Sequence, residues 1–269
     1  MNDNHAAIAL SVNVNKIALI RNSREGNNPD LVEFARLCLD NGAAGITVHP
    51  RPDQRHIRPE DCSALAALLH KHARRSNIEY NIEGNPAAGA CATKRQDFTD
   101  YPGFTEIVEQ CKPDQATLVP DNSSQLTSDH GFDLSGDNRQ LAASIKRIKQ
   151  CGARVSLFMD PDHDQLSRAR DIGADRIELY TGPFAAAFAC GDSDHAEKIF
   201  AAHCEAAQHA HNIGLAINAG HDLNLENLVL YRRLPHLAEV SIGHAITVDA
   251  LQMGLQATIE RYLAVLAGN

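Results

Sequence analysis

The strongest constraint on how this chain folds is a unit that recurs along it: an amphipathic helical stretch, a glycine, a short apolar run and then a polar residue. It occurs as residues 37–41 with Gly42, followed by Gly45-Ile46-Thr47-Val48-His49, and as residues 145–151 with Gly152, followed by Val155-Ser156-Leu157-Phe158-Met159-Asp160. It returns as Asp171-Ile172-Gly173 before Ile177-Glu178-Leu179-Tyr180, and as His211-Asn212-Ile213-Gly214 before Leu215-Ala216-Ile217-Asn218. Glycine just past a helix takes the left-handed conformation that ends it, which explains its place in every copy. Helix followed by strand, repeated, makes a parallel sheet.

Extended along the chain, the pattern predicts strands at 7–13, 45–49, 78–83, 115–119, 154–159, 176–180, 214–218 and 239–242. A long loop carrying Arg21, Arg24 and Gly26 is expected after the first strand. Helices are expected from Pro29-Asp30 with Leu31, Phe34 and Cys38 on one face, from Pro59 with Glu60 and Asp61 in its first turn, and near 104–111. One last helix is expected to carry Val248, Leu251, Leu255, Ile259, Leu263 and Leu266, and residues 87–101 read as an irregular insertion. About eight strands, each followed by a helix, is the count of a TIM (β/α)8 barrel, here one domain over 1–269 with extra short helices or loop insertions. A doubly wound open sheet is the alternative, but it wants a G-x-G-x-x-G turn after the first strand, where this chain has Asn13-Val14-Asn15-Lys16.

Composition narrows the partners. A formal charge of −9 over 269 residues argues against non-specific nucleic-acid binding, which needs basic surface, so an anionic ligand must be held by a local cluster. The seven cysteines are scattered and never spaced C-x-x-C, which points to neither a disulfide framework nor a zinc knuckle. Met1-Asn2-Asp3-Asn4-His5 lacks the regions of a signal peptide, and no apolar run approaches ~18 residues, so a reducing cytoplasm and no membrane are expected.

In a barrel the strand C-termini converge on one face, and residues far apart in sequence become neighbours there. They are Asn13, His49, Glu83, Pro120 with Thr127 beyond it, Asp160, Tyr180-Thr181-Gly182, Asn218-Ala219-Gly220-His221 and Ser241-Ile242-Gly243-His244. Histidines and carboxylates of differing proton affinity suit acid/base work, and glycines before the last helices suit phosphate held on backbone N–H groups. Beside His49, Arg51 and Arg55 can clamp a phosphate or carboxylate.

The segments Val12-Asn13-Val14-Asn15-Lys16 with Arg21-Asn22-Ser23-Arg24, Gly45-Ile46-Thr47-Val48-His49, Asn81-Ile82-Glu83-Gly84, Leu118-Val119-Pro120-Asp121, Asn218-Ala219-Gly220-His221 and Ile242-Gly243-His244-Ala245 together resemble the pyridoxine 5′-phosphate synthase family, in order and over nearly the whole chain. The resemblance implies a TIM barrel that condenses 3-amino-2-oxopropyl phosphate with 1-deoxy-D-xylulose 5-phosphate, needs no redox cofactor or metal, and assembles as a homo-octamer. Carried over by position, His49 resembles the proton acceptor, Glu83 a second acid/base and His221 the proton donor. Asn13, Arg24, Asp222, Gly243 and His244 match positions for the amino-ketone phosphate, while Arg51, His56 and Thr127 match positions for deoxyxylulose phosphate. Asn15-Lys16 stands where the family often has Asp-His, and Asp222 where it has glycine. Asn15 and Lys16 are expected to contact deoxyxylulose phosphate if the chain turns just after Val14, and Asp222 places a negative charge near a phosphate unless its side chain turns away. Two other readings remain: a metal-dependent sugar-phosphate aldolase or epimerase with His49, Glu83 and His221 as ligands, and a non-catalytic phosphate-binding scaffold.

Overall fold

A computed structural model describes residues 7–93, 95, 97–122 and 125–269. Among the described residues ten strands are present: β1 (Ala9–Asn13), β2 (Gly45–Val48), β3 (Glu79–Gly84), β4 (Gly89–Cys91), β5 (Tyr101–Gly103), β6 (Gln115–Leu118), β7 (Arg154–Met159), β8 (Arg176–Tyr180), β9 (Ala216–Gly220) and β10 (Leu237–Ile242). Eight of them pair in parallel around a closed barrel in which β1 lies between β2 and β10, and β4 and β5 form a separate antiparallel pair. Every barrel strand but β10 runs back to the next through at least one helix, and the helices 244–253 and 255–267 follow β10. This is the TIM barrel that the repeat predicts. No helix of the described residues is long and apolar enough to cross a membrane.

Strand alternation sorts the side chains into two layers. Leu10, Val12, Ile46, Val48, Ile82 and Leu157 face the helices and are almost wholly buried, which places the apolar core outside the barrel wall. The lumen is polar instead of filled with branched residues. Ser11 and Thr47 hydroxyls lie 2.7 Å apart, Asn81 donates to Thr47 Oγ1 at 3.3 Å, and Thr117 donates to Asn81 Oδ1 at 3.0 Å. Buried polar groups are costly unless paired, and this ladder pairs them across β1, β2, β3 and β6.

Four expectations need correction. The stretch after β1 is not a long loop but begins with a helix, Asn15–Asn22, whose buried residues are Ile17, Ala18 and Arg21; an arginine on the buried stripe breaks the apolar periodicity that would have announced it. The last helix is two, His244–Met253 and Leu255–Ala267, parted at Gly254 with φ +80°. Leu251, expected in its apolar stripe, is 78% exposed. The strand expected at 214–218 runs over Ala216–Gly220, because Gly220 still pairs with Tyr180 and Ser241, and part of the 87–101 insertion is β4.

Candidate active site

The chain turns after β1 as expected: Val14 precedes the helix Asn15–Asn22. Asn13 Oδ1 accepts from the Asn15 N–H at 3.0 Å, and Asn15 Oδ1 accepts from the His49 N–H at 2.9 Å. Asn15 therefore splices the end of β1 to the end of β2. Asn13 Nδ2 donates to Glu83 Oε2 at 3.3 Å, which brings the end of β3 into the same cluster.

His49 opens the loop after β2 and is 8% exposed. Burial drives its proton affinity down to about 4; Arg51 and Arg55 push the same way, and Asp121 and Asp53 oppose them. At neutral pH the ring is an uncharged base. Its neighbour His56, with ring centroid 6.2 Å away, is held well below its ordinary value by burial and by the charges of His49, Arg51, Arg55 and Lys16. His56 Nδ1 accepts from the Ile57 N–H at 2.9 Å, so a neutral His56 carries its proton on Nε2. A cavity of about 200 Å³ opens here, lined by His49, Arg51, Asn85, Tyr101 and Asp121 among others. The larger cavity, about 560 Å³, lies at the opposite, N-terminal end of the barrel around Glu79, Arg154 and Arg176. Size alone would mislead, since barrel chemistry collects at strand C-termini.

Across the mouth stand buried carboxyls. Burial first, then the charges of Glu178, Asp121 and Glu239, raise Glu83 well above the carboxylate range, against a lowering contact with Ser241. Burial raises Glu178 to about 7. Both carboxyls are thus shifted upward while His49 is shifted downward, and carboxyls that feel each other's charge titrate as one system. Glu178 is missing from the residues singled out in the sequence. Its signal was there: a Glu in the middle of the apolar strand Ile177-Glu178-Leu179, on the lumen-facing phase. Gly220 exists beside it for room, because a Cβ there would lie 2.2 Å from Glu178 Oε1.

His221 and Asp222 follow β9 with φ of +87° and +58°. Thr181 Oγ1 donates to Gly220 O at 2.7 Å and Asn227 Nδ2 donates to Asp222 O at 3.0 Å, which hold this turn. The Asp222 carboxylate turns to His221, with Oδ2 2.9 Å from Nδ1. The two atoms are close but not aligned for a hydrogen bond. His221, with His244 and Lys16 behind it, keeps the Asp222 carboxyl below its usual range despite partial burial. Tyr180 meets the His221 ring edge-on at 5.2 Å. Lys16, half-buried, is thus felt by both His56 and Asp222 and does not lie in open solvent.

Gly243 begins the helix His244–Met253, but a Cβ there would lie 2.8 Å from Asn13 O, so any side chain disturbs the end of β1 before it meets a ligand. His244 is exposed at the rim, as are Arg24 and Thr127. Among the described residues no side-chain hydrogen bond or ion pair ties Arg24 or Thr127 to the cluster. No three His, Cys, Asp or Glu side chains among the described residues are grouped to hold a metal, so His49, Glu83 and His221 do not converge as ligands of one ion.

Residues 10–268 match the family model described as pyridoxal phosphate biosynthesis protein PdxJ. The chain is 52% identical over 258 residues to the pyridoxine 5′-phosphate synthase of Xanthomonas axonopodis pv. citri, with 96% of each chain covered. It is 48% identical to that of Xylella fastidiosa over 96% of this chain and 94% of the relative. Among solved structures, phosphoribosyl anthranilate isomerase from Thermococcus kodakaraensis superposes with a TM-score of 0.57 at 12% identity, covering 97% of this chain and 100% of the other. A tryptophan synthase alpha-subunit from Pyrococcus furiosus gives 0.56 at 12% identity and 98% of both chains; at such identities the likeness is one of fold alone. The match over nearly the full length, with half the residues identical, places the chain in the PdxJ family of pyridoxal phosphate biosynthesis proteins.

Proposed function

We propose that this chain is a pyridoxine 5′-phosphate synthase, which condenses 3-amino-2-oxopropyl phosphate with 1-deoxy-D-xylulose 5-phosphate and closes the pyridine ring with release of phosphate and water. The observation that carries the reading is the divergence of proton affinities in one mouth: His49 lowered to about 4, Glu83 raised well above its ordinary range and Glu178 raised to about 7. Imine formation, dehydration, phosphate elimination and aromatisation each move protons, and a site with a ready base facing ready acids serves all of them. In this reading His49 takes the proton, Glu83 gives and takes one, and His221 donates. Asn13, Arg24, Asp222, Gly243 and His244 meet the amino-ketone phosphate, and Asn15, Lys16, Arg51, His56 and Thr127 meet the sugar phosphate.

Mixing the two substrates with chelator-treated protein tests the reading directly. Pyridoxine phosphate absorbance and released phosphate are expected to rise together; no product overturns it, and product only after a divalent ion is restored favours the metal-dependent alternative. Binding of both substrates without turnover would leave the scaffold.

The pH dependence follows from the same groups. His49 works when deprotonated, above about 4, and Glu178 as an acid when protonated, below about 7. A bell-shaped kcat/KM profile with limbs near these values is expected, the basic limb belonging to the Glu83–Glu178 system. A profile flat from pH 4 to 8 contradicts the assignment.

Lys16→Ala is expected to raise KM for deoxyxylulose phosphate about tenfold or more, with little change for the amino-ketone, because a charge-assisted hydrogen bond contributes roughly 1.5–3 kcal/mol. Equal KM values in wild type and variant would retire Lys16 as a ligand. Self-association belongs to this reading too: Leu19, Ile20, Val248 and Leu251 are exposed on the contacting helices Asn15–Asn22 and His244–Met253. A patch of that kind beside a site favours a partner of the same chain.

A further inference from the structure

One buried carboxylate joins the loop after β2 to the loop after β6, and none of the roles above uses it. Asp121 is 5% exposed. Its Oδ2 lies 2.5 Å from Arg51 Nη1 and 3.7 Å from His49 Nε2, and its Oδ1 accepts from Ser128 Oγ at 2.8 Å. Its backbone oxygen accepts from Asn85 Nδ2 at 2.6 Å. The other half of the Arg51 guanidinium is engaged as well, with Nη2 donating to Asn122 O at 2.7 Å and Gln125 O at 3.0 Å. Carboxylate and guanidinium therefore fix each other, and the imidazole of His49 faces the same oxygen.

We infer that Asp121 is a positioning residue: it sets the Arg51 fork and supplies the negative charge that steadies His49 while His49 carries a proton. This rests on the proton-acceptor role proposed for His49. At 3.7 Å the contact is too long for a hydrogen bond, so it acts through charge. The charged and titratable groups facing His49 are Asp121 and Asp53, which favour its protonated form, and Arg51 and Arg55, which oppose it. His56 lies 6.2 Å off, with Lys16 beyond it. Without Asp121 the imidazolium would face two arginines with Asp53 alone against them. When His49 takes a proton from substrate it becomes imidazolium, and passing that proton on restores the neutral ring. Asp121 takes no part in the proton transfer itself and acts on the base through its charge at 3.7 Å. It also opposes a phosphate arriving at Arg51, so its charge does not contribute to sugar-phosphate affinity.

The test compares Asp121→Asn with Asp121→Glu. Asp121→Asn is expected to lower kcat about 10–100-fold, the usual effect of losing a group that orients a functional side chain, without raising KM for deoxyxylulose phosphate. Removing an influence that raises the proton affinity of His49 moves the acidic limb of kcat/KM to lower pH. Asp121→Glu keeps the charge and is expected to retain more of kcat than the amide. Titration of the ¹³C-labelled His49 ring by NMR, in protein without substrate, is expected to move the same way in Asp121→Asn. Wild-type kcat with an unshifted His49 titration in Asp121→Asn overturns the proposal, as does equal impairment of both variants with raised KM, the mark of a loop fastener only. If the wild type makes no pyridoxine phosphate, the proposed function fails, while the titration still decides the link between Asp121 and His49.

Discussion

His49→Ala is expected to lower turnover by about 10²–10⁴-fold, the usual contribution of a positioned acid or base, with little loss of stability at neutral pH. The ring is buried beside Asp121 but lies beyond hydrogen-bond distance of it, and the bond that pins this position, His49 N–H to Asn15 Oδ1, belongs to the backbone and survives the substitution. Steady-state kinetics beside a thermal melt check both halves; a normal rate in a folded variant removes His49 from the chemistry. The acid side adds a second signature. The folded ring titrates at about 4 against an ordinary 6.5, so between those values the unfolded chain binds a proton that the native state refuses, and wild-type stability falls as pH drops through that window. The alanine variant lacks this contribution and is expected to tolerate pH 5 better relative to pH 7 than the wild type does.

Arg21→Met is expected to destabilise the protein by about 3–5 kcal/mol, because it leaves Asp61 without its cation in a largely buried place. Arg21, 1% exposed, meets Asp61 through two bonds of 2.6 and 2.8 Å and donates to His56 O at 3.2 Å. Asp61 also accepts from the Arg58 N–H at 2.8 Å, at the start of the helix Pro59–Lys71. The pair thus ties the helix after β1 to the loop that carries His56. A loss of that size is a large share of the 5–15 kcal/mol typical of a folded domain, and denaturant titration would read it. Arg21→Met combined with Asp61→Leu is expected to recover much of it, since exchanging a whole buried ion pair for apolar side chains costs less than breaking it. A single variant as stable as wild type would show that the pair contributes nothing.

The two arginines of the first segment show where sequence reading stops. Arg21 and Arg24 stand three residues apart, and both invite assignment to a phosphate. The helix Asn15–Asn22 buries the first against Asp61 and leaves the second exposed beyond its end. Asp222 looked unfavourable beside a phosphate, yet its carboxylate is directed at His221 with Lys16 and His244 nearby. Gly243 looked like a phosphate cradle, and Asn13 is what forbids a side chain there.

What the sequence determined by itself was the barrel and the strand ends that form its mouth. Glycine after a helix, a short apolar run and a polar residue at its end are local signals, readable within about ten residues, and their repetition implies closure of a parallel sheet. His49, Glu83 and His221 could be named from strand ends alone. What only the tertiary structure decided was the charge each group carries and which partner it meets. Glu178 escaped notice and Asp121 was only part of a motif, because a carboxyl holds its proton, or an arginine its fork, according to burial and to charges on strands far away in sequence. No periodicity within one strand encodes the distance to the next.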